Sequence, residues 1–171
     1  MRLAAWASAL RLEDVPAPVV TAAKLHLLDA FGTGLAALEL GAIAAPAAVA
    51  GQLGGEPEAT ALGVGRPVGA APAALANGAW IHALDFDDTH EATLVHSSAV
   101  VAPAMLAVGE AVGAGGEELL AAALAGYEVG ARVGLGARGS LHRRGFHPTS
   151  VCGVFAAATV AAKLRGLGPE R

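Results

Sequence analysis

Apolar residues recur along most of the chain at steps of three, four and seven, which is the spacing of a helix with one buried side. This pattern predicts helices at residues 3–10, 16–38, 47–53, 70–85, 97–112, 117–138 and 147–165. Glycine and proline separate them. Residues 59–67 could form one small strand and turn. The predicted fold class is therefore mainly α, with at most that one small strand or turn.

The composition favours closely packed helices within one domain. Hydrophobic residues make up 54% of the 171 residues, but aromatic residues only 4%, because Ala and Gly supply much of the apolar total. The formal charge is −4 and the basic residues are scattered, so no nucleic acid is expected as a partner. The single cysteine, Cys152, excludes a disulfide within the chain and favours a reducing, cytoplasmic location.

The mean hydropathy of +0.54 raises the question of a membrane. The longest uncharged stretches, at residues 40–55, 67–84 and 92–109, are each interrupted by residues such as Pro, Gly, Asn, Gln or His. Such stretches are more typical of buried helices than of membrane spans. The first residues include early charges and no sustained apolar core, so neither a membrane partner nor a signal peptide is expected.

The first candidate site follows an apolar helix. His82 precedes three carboxylates, Asp85, Asp87 and Asp88, and Thr89. If the helix continued through these residues, His82, Asp85 and Thr89 would share a face, with Asp88 nearby and Asp87 pointing elsewhere. Such a group suits general acid/base catalysis. The simpler interpretation is a solvated turn between two helices.

The second candidate feature is a pattern that occurs twice. His96 stands before Ser97 and Ser98, and His147 before Pro148, Thr149 and Ser150, each time where an Ala-rich helix is predicted to begin. The free N–H groups and the dipole at a helix N-terminus suit an anion with several carboxylates. The simpler interpretation is that the hydroxyl residues cap helices and that the histidines are ordinary hydrogen-bonded residues.

A magnesium site built from Asp85, Asp87 and Asp88 is a further hypothesis. Such a site needs additional carboxylates, whereas the second polar loop supplies histidine and arginine, which are poor Mg²⁺ ligands. The expectation is therefore that neither a metal nor an organic cofactor is used.

Several runs resemble the MmgE/PrpD family, the 2-methylcitrate dehydratase-like proteins that also include cis-aconitate decarboxylase. The most specific is HALDFDDTH at residues 82–90, and others lie at residues 27–29, 76–78, 126–128 and 145–149. The resemblance implies that residues 1–171 are the N-terminal segment of the family's helical domain. It also implies that the second, α+β domain, with a lysine and a tyrosine of the site, is absent from this sequence. The chain is therefore expected to be too short to catalyse alone.

The resemblance assigns catalytic roles to four residues, namely Asp85, Thr89, His96 and His147. The histidines would act as acid/base groups or hold carboxylates, Thr89 would donate a hydrogen bond, and Asp85 would orient a histidine or take a proton. Substrate-binding roles are expected for His82, Arg143, Arg144, Thr149 and Ser150.

The implied function is a cofactor-independent dehydratase, decarboxylase or epimerase acting on a small di- or tricarboxylate, such as a 2-methylcitrate-like acid. An apolar helix face left uncovered in this segment predicts a homodimer or larger species. The alternative is a non-catalytic fragment that serves as a dimerisation or binding module.

Overall fold

We describe residues 2–170 of the chain in a computed structural model, and these residues form eight α-helices and no extended strand. The helices are α1 (Arg2–Ala9), α2 (Ala17–Glu39), α3 (Ala45–Leu53), α4 (Ala70–His82), α5 (Ser98–Val112), α6 (Gly116–Gly136), α7 (Ser140–Arg143) and α8 (Pro148–Leu164). A 3₁₀ turn, Leu12–Asp14, joins α1 to α2. The prediction of a mainly α fold is confirmed.

Helix α5 lies at the centre, where it packs against α2, α4, α6 and α8. The main core joins large side chains from four of these helices, including Ile81, Val101, Met105 and Val160. Alanines fill most of the space between them, so the helix axes can approach closely. A core of small side chains is what the composition predicted.

The most extensive contact between two helices is that of α6 with α8. A Cβ atom added to Gly126 would lie 2.5 Å from Val160 Cγ2, 3.2 Å from Val101 Cγ2 and 3.3 Å from the carbonyl oxygen of Ala156. An added methyl group would therefore force one or more of these neighbours to shift.

The segment between α3 and α4 is fastened to α4 by polar side chains. It contains one isolated antiparallel bridge, Ala59 to Val68, which agrees with the small strand or turn predicted there. The amide of Leu62 donates to Asn77 Oδ1 at 2.8 Å, and Asn77 Nδ2 donates to the carbonyl of Thr60 at 2.9 Å. Because Asn77 is completely buried, these bonds fix the position of α4.

Helix α4 ends at His82, three residues earlier than predicted. Asp85 has a φ of +51°, in the left-handed region where a continuing helix is not possible, and its amide donates to the carbonyl of His82 at 3.1 Å. The predicted shared helical face of His82, Asp85 and Thr89 is therefore wrong, because the chain turns before Asp85.

Helix α6 has the length and apolar character of a membrane-crossing helix. Its buried residues are mostly alanine and glycine, and it packs against α5 and α8. A core helix of this kind meets the same two criteria as a membrane span.

We predict that Gly126→Ala lowers the free energy of unfolding by about 1–2 kcal/mol, because overpacking costs about 1–3 kcal/mol and the gain in helix propensity is only about 1 kcal/mol. Urea denaturation followed by circular dichroism measures the change. Gly136→Ala is the matched control, since Gly136 ends the same helix and an added Cβ meets nothing within 4 Å. An equal effect of the two substitutions would contradict the packing argument.

Candidate functional site

Three histidines from three different helix ends lie together, and we call them the histidine cluster: His82, His96 and His147. The ring centroids are 4.8 Å apart for His82 and His96, 5.9 Å for His82 and His147, and 6.0 Å for His96 and His147. His82 is the last residue of α4, His96 lies two residues before α5, and His147 is the N-cap of α8. The cluster forms because α5 packs against both α4 and α8.

Asp87 lies against the cluster with a side chain that is 0% exposed. His82 Nδ1 lies 3.0 Å from Asp87 Oδ1 and 3.1 Å from Oδ2, within hydrogen-bond distance of both oxygens. His96 Nδ1 lies 3.4 Å from Asp87 Oδ2. The expectation that Asp87 points elsewhere is wrong, because the turn after His82 folds the chain back and directs this carboxylate to the histidines.

Asp88 makes a different set of contacts. Its Oδ1 accepts a hydrogen bond from the amide of Ser98 at 2.9 Å, and its Oδ2 lies 3.2 Å from His26 Nδ1. Asp88 therefore has partners other than the histidine cluster. A carboxylate of the protein itself already occupies the start of α5, where the helix dipole favours negative charge.

Two threonines hold His96. The buried hydroxyl oxygen of Thr149 accepts a hydrogen bond from the amide of His96 at 2.9 Å, which ties the loop before α5 to the first turn of α8. Thr89 Oγ1 lies 3.5 Å from His96 Nδ1. The backbone of His96 is therefore held by a good hydrogen bond, whereas its imidazole ring makes only longer contacts.

The other predicted site residues lie at the surface. Asp85, Ser150, Arg143 and Arg144 are all exposed. Arg143 Nη2 donates to the carbonyl of Arg138 at 3.1 Å. Among residues 2–170, no hydrogen bond or ion pair joins either arginine to the histidine cluster, so their substrate-binding role remains a prediction.

A cavity of about 730 Å³ opens beside the same loop and is lined mainly by apolar side chains. Its polar lining includes His26, Asp88, Thr89 and Tyr127, while none of the clustered histidines lines it. The hydroxyl groups of Tyr127 and Ser98 are 2.7 Å apart. Sequence reasoning gave His26 no role here and noted Ser98 only in the repeated pattern before α5, because nothing in the spacing links these two residues. Tyr127 was noted only as part of a family-like run.

Four groups could hold a metal ion: His82, Asp85, Asp87 and His96 each offer one ligand atom, all within 4.8 Å of one another. Mixed imidazole and carboxylate donors suit a transition metal such as zinc better than magnesium. Asp88 is outside this group, so the three carboxylates of the magnesium hypothesis do not meet at one point.

A family model describes the MmgE/PrpD N-terminal domain and matches residues 1–171. This chain belongs to the MmgE/PrpD family. The resemblance identified from the sequence is thereby confirmed. This family is of the dehydratase/decarboxylase lyase type.

Curated relatives of this MmgE/PrpD chain include a cis-aconitate decarboxylase-like protein oryM of Aspergillus oryzae, which is 35% identical over 173 residues. A cis-aconitate decarboxylase of Aspergillus terreus is 34% identical over 175 residues. Both alignments cover 96% of this chain but only 36% and 35% of those relatives, so the chain spans about a third of their length. The human cis-aconitate decarboxylase is 40% identical over 106 residues, covering 58% of this chain and 21% of the human protein.

Tyr127 is the single tyrosine of the chain, so tyrosinate absorbance reports on this residue alone. Burial raises the pKa of Tyr127 most strongly, the hydrogen bond with Ser98 lowers it, and the charge of Asp88 raises it, with a net shift well above the ordinary value. The folded state therefore keeps the phenol neutral at a pH where the unfolded state, with a pKa of about 10, ionises. The stability due to this group is complete below about pH 10 and is lost as the pH rises further.

We predict that the native protein shows almost no tyrosinate absorbance at 295 nm at about pH 10.5, whereas the urea-unfolded chain is more than half ionised, given its ordinary pKa of about 10. The free energy of unfolding should fall over the same pH range, and less so in Tyr127→Phe. A native titration midpoint near pH 10 with unchanged helicity would contradict the buried position of the phenol.

Proposed function

We propose that this chain supplies the acid/base part of a cofactor-independent lyase site for a small di- or tricarboxylate, such as cis-aconitate or a 2-methylcitrate-like acid. The observation that supports the proposal is the meeting of three imidazoles from three separate helix ends beside one buried carboxylate. Membership of a lyase family supports it further. The substrate class comes from the names of the relatives and is carried over only as a proposal.

Both reactions of this lyase type need a proton transfer at a carbon atom near a carboxylate. In dehydration, a base removes the proton from carbon while an acid protonates the departing hydroxyl group, so water is lost. In decarboxylation, the bond between a carbon atom and its carboxylate breaks and carbon dioxide leaves. The electron pair of that bond stays with the remaining carbon framework, and an acid protonates it there. Imidazole can be the acid or the base near neutral pH, which makes a group of histidines suitable for either reaction.

The exposure of the site residues suggests a division of roles. His147 is exposed and stands at the start of α8, so we assign it to proton transfer or carboxylate binding, together with His96. Thr89 would donate a hydrogen bond to the substrate, and Asp85 would take a proton or orient a histidine. Arg143, Arg144 and Ser150 would contact carboxylates. His82 would contact the substrate beside its reacting carbon, and the buried Thr149 would act through His96.

Two alternatives remain. The four ligand atoms of His82, Asp85, Asp87 and His96 favour metal-dependent chemistry as a second candidate, because they lie close enough to share an ion. A binding or dimerisation module without catalysis is the third, because the relatives are about three times as long as this chain.

We predict turnover of cis-aconitate, citrate or 2-methylcitrate by the purified chain in the presence of a chelator, followed by proton NMR. His147→Ala should reduce the rate by at least about 100-fold, the usual contribution of a general acid or base. His142→Ala is the matched control, since His142 is also exposed but lies in α7 outside the cluster.

Three other results would each contradict part of the proposal. Loss of turnover on adding the chelator would support the metal-dependent alternative. Equal activity of the His147→Ala variant would remove the proposed role of that histidine. Ligand-induced shifts without turnover would show a binding module, with catalysis requiring groups outside this chain.

We also propose that the chain self-associates. Leu28 and Leu35, seven residues apart on the outer side of α2, are 69% and 54% exposed. Exposed apolar side chains on one helix face favour association, because contact removes them from water.

Light scattering should therefore give a mass of at least a dimer, and Leu28→Glu with Leu35→Glu should shift it towards the monomer at unchanged helicity. Leu53→Glu with Leu75→Glu is the matched control on α3 and α4, where the leucines are 62% and 50% exposed. A monomeric wild-type chain at high concentration would contradict self-association.

A further inference from the structure

We propose that Asp87 is a positioning residue that holds His82 in the tautomer with its proton on Nδ1, so that Nε2 carries the lone pair. The contact itself does not depend on catalysis. The role of His82 as a base, by contrast, rests on the function proposed above. The sequence suggested Asp87 only as a ligand in the magnesium hypothesis, and it predicted that this side chain points away from His82.

The burial of the Asp87 carboxylate determines which groups must surround it. The Asp87 side chain is 0% exposed, so water cannot satisfy its oxygens, and a buried carboxylate is stable only when hydrogen-bond donors surround it. An ionised carboxylate can only accept hydrogen bonds. Both oxygens lie within 3.1 Å of His82 Nδ1, so this nitrogen is the donor.

The tautomer of His82 follows from this bond. A neutral imidazole has one N–H, and a hydrogen bond at one nitrogen determines which form is present. With the proton on Nδ1, the Nε2 atom can accept a proton from a substrate carbon. Carboxylates that orient metal-binding histidines in this way typically change metal affinity or activity by about 10- to 100-fold when removed, and we expect an effect of the same order for Asp87.

His96 is held differently. Its Nδ1 lies 3.4 Å from Asp87 Oδ2 and 3.5 Å from Thr89 Oγ1, both longer than a good hydrogen bond. Its backbone amide is instead fixed by Thr149. We therefore expect Asp87 to fix the tautomer of His82 only. The signals of His96 provide an internal comparison in the same spectrum.

The test is a long-range ¹H–¹⁵N spectrum of the histidine side chains in the uniformly labelled chain, recorded above the pH range in which its histidine signals titrate. In the wild type we expect His82 to show the pattern of a single Nδ1–H tautomer. In Asp87→Ala the pattern should become that of two exchanging tautomers. Asp88→Ala is the matched control, because that neighbouring carboxylate contacts His26, whose signals should change while those of His82 stay the same.

The wild-type spectrum decides the proposal even if Asp87→Ala does not fold. An Nε2–H pattern for His82 would overturn it, since Asp87 would then be the protonated donor. A joint shift of His82 and His96 Nδ1 on adding one equivalent of Zn²⁺, reversed by a chelator, would also overturn it, because the same atoms would be metal ligands.

Where turnover is measurable, Asp87→Ala should lower kcat about 10- to 100-fold with a smaller change in KM. An Nδ1–H tautomer in a chain without turnover would leave the positioning role intact and contradict only the prediction that this chain by itself turns over its substrate.

Discussion

The close packing of α5 against α4 and α8 is the constraint on which the rest of the structure depends. At the α4–α5 contact, a Cβ on Gly78 would lie 3.0 Å from the carbonyl oxygen of Ala99, so even one methyl group would press against backbone. The three helices can approach this closely because their facing residues are mostly alanine and glycine. The approach brings together the end of α4 and the starts of α5 and α8, each of which bears a histidine.

The turn after His82 places carboxylates beside these packed helix ends. Asp85 adopts the left-handed conformation, and the chain then directs two successive carboxylates to different partners. Asp87 contacts His82, whereas Asp88 contacts His26 and the first turn of α5. One short loop therefore serves both the histidine cluster and the neighbouring cavity, and Thr89, which lines that cavity, also contacts His96.

The site combines fixed and accessible groups in a way that suits proton transfer. Asp87 and Thr149 are buried and hold the ring of His82 and the backbone of His96, respectively. His147 is exposed at the N-cap of α8, where an anionic ligand can reach it. Exposed groups contact the substrate most easily, and buried partners limit their motion, which is the arrangement that preorganised catalysis requires.

The sequence by itself determined the helical class, nearly all helix positions, the family, and the two histidines at the starts of α5 and α8. These features follow from local information, since hydrophobic period, glycine and proline positions and short motifs all act within a few residues. The early end of α4 was not predicted, because the left-handed turn at Asp85 competes with a helical pattern that continues through it. Only the tertiary structure decided that Asp87 meets His82 and that Asp88 meets His26. The directions of adjacent side chains depend on how the loop packs between α4, α5 and α8. Contacts between residues as distant as His96 and Thr149 cannot be predicted from their spacing in the sequence.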